Sequence, residues 1–223
     1  MTLLIGTLSN NNVVITADGL SLVNSITGAG IGSDTFRKIF PIPGIPIVFA
    51  HHGLNVLDDK LVSQYIECFV SKCSSTLAAA DVETIAQNLR LYGEAAAQKA
   101  LADPTNLGVV GFWIAGFSPE RKRPEFYEIC WPYKPEPCKL DGVILGGDAQ
   151  NFIAGFLSQP LGSFKPKAVR GYSTNLVTMY HQALYSQAEQ KQAKLGGTMF
   201  GGRRHQVVIE KTGWRWSITP EPL

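Results

Sequence analysis

Two spacings of apolar residues divide this chain. Near its start, residues 3–8 and 13–17 are short apolar runs rich in β-branched side chains. Ser9-Asn10-Asn11-Asn12 separates them, and Asp18-Gly19 closes the second. Strand-like runs with turn residues between them predict a β-hairpin, whose far end folds back beside its near end. That places Asp18 close to Thr2. Residues 33–42 carry Arg37 and Lys38 into a further strand after a long 20–32 loop, and residues 45–50 predict another, ending at His51-His52-Gly53. The spacing then becomes helical. Leu61, Tyr65, Ile66, Phe69 and Val70 form one stripe over residues 58–73, where Asp58-Asp59 suit a first turn because the helix dipole favours anions there. Residues 81–101 predict a second helix, with Asp81 as N-cap and Ile85, Leu89, Tyr92, Ala96 and Ala100 along its stripe.

Strands are predicted again over 108–117 and 124–131, the first apolar almost throughout and therefore buried on both faces. Residues 142–145 predict one more strand, followed by Gly146-Gly147-Asp148 and a short helix over 149–157. A long helix follows over 173–193, with Leu176, Tyr180, Leu184 and Ala188 on its apolar side. Residues 206–211, Thr212-Gly213 and 214–218 read as a closing hairpin. Runs of strands alternating with pairs of helices predict an α+β fold: two sheets packed face to face with helices outside, a four-layer αββα sandwich in one domain over residues 1–223.

Composition narrows the function classes. Hydrophobic residues make up 45% of the 223 and charged residues 17%, with a net charge of +2. So small a charge argues against a partner held by electrostatics alone, whether nucleic acid or a membrane surface. The N-terminus shows no basic segment followed by an apolar run, so no signal peptide is read, and the expected location is cytoplasmic. Cys68, Cys73, Cys130 and Cys138 have no metal-ligand spacing and fit reduced thiols. No cofactor or metal is implied.

The candidate chemistry starts at Thr2. A threonine that becomes the first residue once Met1 is removed is nucleophile and base together: its Oγ attacks a carbonyl while its α-amine takes the hydroxyl proton. An α-amine titrates at about 7.7–8.0 and a lysine at about 10.4, so only the former is substantially neutral near pH 7. Asp18 would pair with Lys38 and orient the N-terminal residue, and the Lys38 ammonium would lower the Thr2 hydroxyl pKa. Strand alternation sends Arg37 to the opposite face from Lys38. Gly53, with the His52 backbone beside it, stands at a strand-end turn, where a glycine lets the backbone approach a ligand closely. The same alternation separates His51 from His52, which argues against a catalytic dyad. The Gly196–Gly202 run before Arg203-Arg204 lacks a phosphate-loop sequence and reads as a loop. Leu20, Phe36, Phe40 and Asn55 are candidates to face a substrate pocket.

Thr2, Gly6, Asp18-Gly19 and Lys38-Ile39, in this order on this strand pattern, resemble the proteasome β-subunit family of N-terminal-nucleophile hydrolases, including the bacterial proteasome-like peptidases. The resemblance implies the αββα sandwich and a threonine-type peptide or amide hydrolase. It assigns catalytic roles to Thr2, Asp18, Lys38 and Gly53, and it implies a homo-oligomeric ring that takes peptide or unfolded-protein substrates. Any ATPase partner is left open by these residues. Two positions depart from the family. Gly146-Gly147-Asp148 stands where active members carry a serine between glycines, and the stretch before the final hairpin lacks their acidic residue and serine. The alternative reading is an inactive subunit of the same family with an assembly or binding role.

Overall fold

The computed structural model describes residues 2–25, 28–33, 35–104, 106, 108–118, 121–147, 166–195 and 200–219. Two compact units divide the chain. The first runs through Lys38, resumes over Asp141–Val208 and takes the chain from Arg215 onward. The second holds Ile39–Leu140 with Ile209–Trp214.

In the first unit the predicted hairpin forms from β1 (Leu3–Leu8) and β2 (Asn12–Ala17), every residue of which is buried. Both strands belong to a five-stranded sheet with β12 (Val143–Gly147), β13 (His205–Glu210) and β14 (Gly213–Ile218), in the order β12-β1-β2-β13-β14. β1 pairs antiparallel with both neighbours, Leu3 opposite Gly147 on one side and Leu4 opposite Ala17 on the other. A long helix, α3 (Thr174–Leu195), covers one face of this sheet. Leu3, Ile5 and Val14 share that face by strand alternation. They pack with Val177, Tyr180, Leu184, Tyr185 and Ala188 of α3, whose spacing of three and four residues makes one stripe. A separate ribbon forms from β3 (Ser21–Ser25) and β4 (Gly28–Ser33).

The second unit has its own core. Its five-stranded sheet runs β11-β10-β9-β6-β5, from Lys134–Lys139 (β11), Pro124–Trp131 (β10), Val110–Phe117 (β9), Ile47–Gly53 (β6) and Ile39–Pro41 (β5). The β10–β11, β9–β10, β6–β9 and β5–β6 pairings are all antiparallel. Phe49, Phe112, Ile114, Tyr127 and Ile129 on this sheet meet Tyr65, Ile66 and Phe69 of α1 (Val62–Leu77) and Ile85, Ala86 and Leu89 of α2 (Val82–Ala102). Asp81 caps α2 as its sequence predicts, its side chain accepting the Thr84 N–H at 2.7 Å. Gly93 lies inside α2, where glycine costs up to about 1 kcal/mol against alanine. A Cβ there would stand 3.2 Å from the Trp131 ring, so the glycine admits that indole against the helix.

The expected four-layer αββα sandwich is not what the chain forms. The described residues make a mainly β fold of two five-stranded sheets, two two-stranded ribbons and three α-helices, in two units with separate cores. Much of the difference is extra strand where the sequence predicts loop or helix. The 20–32 loop contains β3 and most of β4, and β11 forms over residues 134–139, for which the sequence predicts no element. Asp58 and Asp59, read as a helix start, have φ of 50° and 61°. Two positive φ values make the tight hairpin turn between β7 (Val56–Leu57) and β8 (Lys60–Leu61), and α1 begins only at Val62. The helix expected over 149–157 lies outside the described residues. Among the described residues, no helix is long and apolar enough to cross a membrane.

Candidate active site around Thr2

The β1–β2 register sets the site. With Leu4 opposite Ala17, Asp18 falls opposite Leu3, and the two close the hairpin reciprocally. The Asp18 N–H donates to the Leu3 carbonyl at 3.2 Å, and the Leu3 N–H donates to Asp18 Oδ1 at 2.8 Å. Asp18 thus grips the peptide unit that follows Thr2. On the other side of β1, Gly147 ends β12 with φ of 63°. A Cβ at Gly147 would lie 2.4 Å from the Thr2 carbonyl oxygen and 3.1 Å from Thr2 Cβ, so only glycine lets the strand end pass Thr2. Thr2 itself is 4% exposed.

Lys38, which ends the first stretch of the first unit, completes the group. Its side chain is 1% exposed and Asp18 is fully buried. Lys38 Nζ donates to Asp18 Oδ1 and to the Leu20 carbonyl, both at 2.7 Å. Because the Leu3 N–H reaches the same Oδ1, the ammonium is no farther from the peptide after Thr2 than those two bonds together. Asp18 Oδ2 accepts the N–H groups of Leu20 and Gly201, each at 3.3 Å. Burying a carboxylate and an ammonium costs several kcal/mol per ion unless both are paired and hydrogen-bonded, and here they are. Arg37 is placed differently, although neither residue belongs to a strand, β5 beginning only at Ile39. It is partly exposed, and its guanidinium lies 5.7 Å from the centre of the Trp216 ring.

Gly53 lies in the second unit, at the end of β6, with φ of 96°. A Cβ there would meet the Val109 carbonyl oxygen at 1.9 Å, so glycine is required. The Leu54 N–H donates to that oxygen at 2.8 Å, and this register turns the Gly53 N–H away from β9. Of the four residues singled out by sequence, the structure groups Thr2, Asp18 and Lys38 within one unit. Among the pocket candidates, Leu20 is buried beside Asp18, and Phe40 is part of the core of the second unit. Asp148 and residues 196–199 lie outside the described residues. His51 and His52 face apart, His51 against Phe112 and His52 towards Trp113 and Glu128, so no dyad forms.

Two histidines carry more than their sequence shows. His181 on α3 is fully buried, its ring nitrogens 2.7 Å from the Thr7 hydroxyl and 2.8 Å from the Thr16 hydroxyl. Thr16 also accepts the Gln206 side-chain N–H at 2.8 Å. Burial pushes the His181 imidazole down to about 3. Sequence held a faint signal here, because Thr7 and Thr16 occupy strand positions that alternation assigns to the helix-facing core. His205 opens β13, and its Nε2 accepts the Lys38 backbone N–H at 3.2 Å. Burial, with the Lys38 and Arg37 charges beside it, holds His205 down to about 4. Nothing in the local sequence links it to Lys38.

Among the described residues, no group of three or more His, Cys, Asp or Glu side chains is placed to hold a metal ion. No protein-family model matches the chain, and no curated protein matches it at a significant level.

Breaking the ion pair from one side leaves a buried charge, so Lys38→Met and Asp18→Asn should each destabilise by about 3–5 kcal/mol. The double variant should lose at least ~1 kcal/mol less than the two single losses combined, because contacting residues are coupled. Urea unfolding of the four proteins measures this, and strict additivity would show that the charges do not stabilise each other.

His181 and His205 also set a pH dependence. Both have folded pKa values below the usual 6.5, so the unfolded chain binds more protons between pH 6.5 and their folded values of about 3 and about 4. Stability should be fully present above pH 6.5 and fall as pH drops through that window, by about 1.4 kcal/mol per histidine for each pH unit crossed. Unfolding titrations should show the slope lessened in His181→Gln; an unchanged slope would remove His181 as a source.

Proposed function

We propose that this protein is a threonine-type amide hydrolase acting on peptides, with Thr2 as its nucleophile once cleavage before Thr2 has freed the α-amine. The observation that carries the reading is the buried Asp18–Lys38 pair, whose carboxylate also holds the peptide unit after Thr2. In the proposed reaction Thr2 Oγ bonds to the substrate carbonyl carbon as the α-amine takes the hydroxyl proton. The carbon–nitrogen bond then breaks, the leaving amine takes that proton, and water hydrolyses the resulting ester. Lys38 favours the hydroxyl's ionisation by its charge, and Asp18 fixes Lys38 in place. The resemblance to proteasome β-subunits supports the same chemistry through Thr2, Asp18 and Lys38. One observation favours the rival reading of a non-catalytic subunit: Thr2 is 4% exposed.

A mechanism-based probe separates the two. An α′,β′-epoxyketone closes a ring on both the hydroxyl and the free amine of an N-terminal threonine. Intact mass should first show that the mature chain starts at Thr2, and peptide mapping after incubation should then place the adduct on Thr2. A processed chain that stays unmodified at saturating probe would establish the non-catalytic reading.

Assembly into a homo-oligomer, and a cytoplasmic location suited to four free thiols, belong to the same proposal. Leu91 on α2, Tyr133 after β10, and Met179 and Leu195 on α3 are each more than half exposed, a supply of apolar side chains for subunit contacts. Val62 is fully buried in the core and adds nothing to such a face. Light scattering coupled to size exclusion should give a multiple of 24.3 kDa. A single-chain mass that persists on concentration would refute the assembly.

A further inference from the structure

We propose that His205 is a positioning residue for Lys38, and that residues 201–205 act as a clamp holding both halves of the buried ion pair. The juxtaposition is specific. Gly201 donates its N–H to Asp18 Oδ2, and four residues later His205 Nε2 accepts the Lys38 backbone N–H. A lysine side chain has four rotatable carbon bonds, so fixing its ammonium requires holding both its ends. Asp18 Oδ1 and the Leu20 carbonyl hold the tip. The backbone end precedes β5, and its N–H is taken by an imidazole.

The imidazole is itself held. His205 is 2% exposed, and Trp216 meets its ring edge-on, with centroids 6.5 Å apart and planes at 90°. Arg37 lies over the same indole, so the residue before Lys38 is tied to the ring that braces His205. A neutral imidazole can offer Nε2 as an acceptor, and two neighbouring cations together with burial keep the ring in that form at neutral pH.

The catalytic consequence rests on the hydrolase reading above; the positioning itself does not, and the test separates them. His205→Phe keeps an aromatic ring against Trp216 but removes the acceptor, whereas His205→Gln carries an amide oxygen near the place of Nε2. Hydrogen exchange resolved at the Lys38 amide reads the positioning without any activity. The amide should be protected in wild type and His205→Gln and should exchange at least ~10-fold faster in His205→Phe, since losing one hydrogen bond is worth about 1.4 kcal/mol or a factor of ten. Equal protection in all three would overturn the proposal. Should His205→Phe fail to fold, wild type alone answers through a trans-hydrogen-bond ¹⁵N–¹⁵N coupling between Lys38 N and His205 Nε2, whose absence overturns it. With peptide substrate, His205→Phe should lower kcat by about 10²-fold, the cost of a small misplacement, at nearly constant KM, and His205→Gln should recover most of it. If wild type neither turns over peptide nor takes the epoxyketone, the hydrolase reading fails while the exchange result still decides His205. If wild type is active and both variants are equally slow, the clamp is wrong and the hydrolase stands.

Discussion

A buried ion pair organises the first unit. Asp18 and Lys38 sit 2.7 Å apart with almost no exposure, and neither charge could stay there without its other partners. Those partners come from three stretches of the chain, one of them shared by Gly201 and His205. Leu3 opens β1, Leu20 follows the hairpin, Gly201 precedes β13, and His205 holds the backbone of Lys38. Satisfying the charges therefore aligns the end of the β1–β2 hairpin with the entry to β13 and with the segment leading to β5. One constraint sets the geometry at Thr2 and stabilises the fold around it. For the same reason a substitution at either charge would disturb folding and the proposed chemistry together, and only coupled variants or the supporting residues can separate them.

What was legible in the sequence follows from distance along the chain. The β1–β2 hairpin is a local signal, and folding its far end back beside its near end leads directly to Asp18 beside Leu3. Arg37 and Lys38 also part, one ring-stacked and partly exposed and the other buried, but they do so before β5 begins, so strand alternation is not what separates them. The partners that complete the site lie 167 and 183 residues away in sequence, at His205 and Gly201, where no periodicity reports on contact. The Gly201 amide shows that part of the glycine-rich run serves the ion pair rather than a phosphate.

Sequence and fold part company where local chemistry admits two answers. Adjacent aspartates before an apolar stripe suit a helix N-terminus, yet the same residues tolerate the left-handed backbone of a two-residue hairpin turn, and that is how Asp58 and Asp59 are used. Pro135 and Pro137 disfavour an interior strand, but β11 lies at the end of its sheet order, where an unpaired N–H side tolerates them. Each such stretch adds strand, and together they shift the chain from layered helices and sheets to a mainly β fold.

The hydrogen bonds at Asp18 also bear on the identity of the base in the proposed reaction. A carboxylate offers about four lone-pair sites, and Asp18 already receives Leu3, Leu20, Gly201 and Lys38. To accept the Thr2 proton it would have to surrender one of the bonds that permit its burial. Lys38, ion-paired through its ammonium, has no lone pair to offer. Of the three residues grouped here, only Thr2 can then supply a base, through a free α-amine titrating close to neutral pH. A chain in which Thr2 remains acylated keeps the ion pair, the clamp and the fold but lacks that base. Its structure would be the same and its chemistry silent, so processing at a single peptide bond becomes the switch on which the hydrolase reading turns.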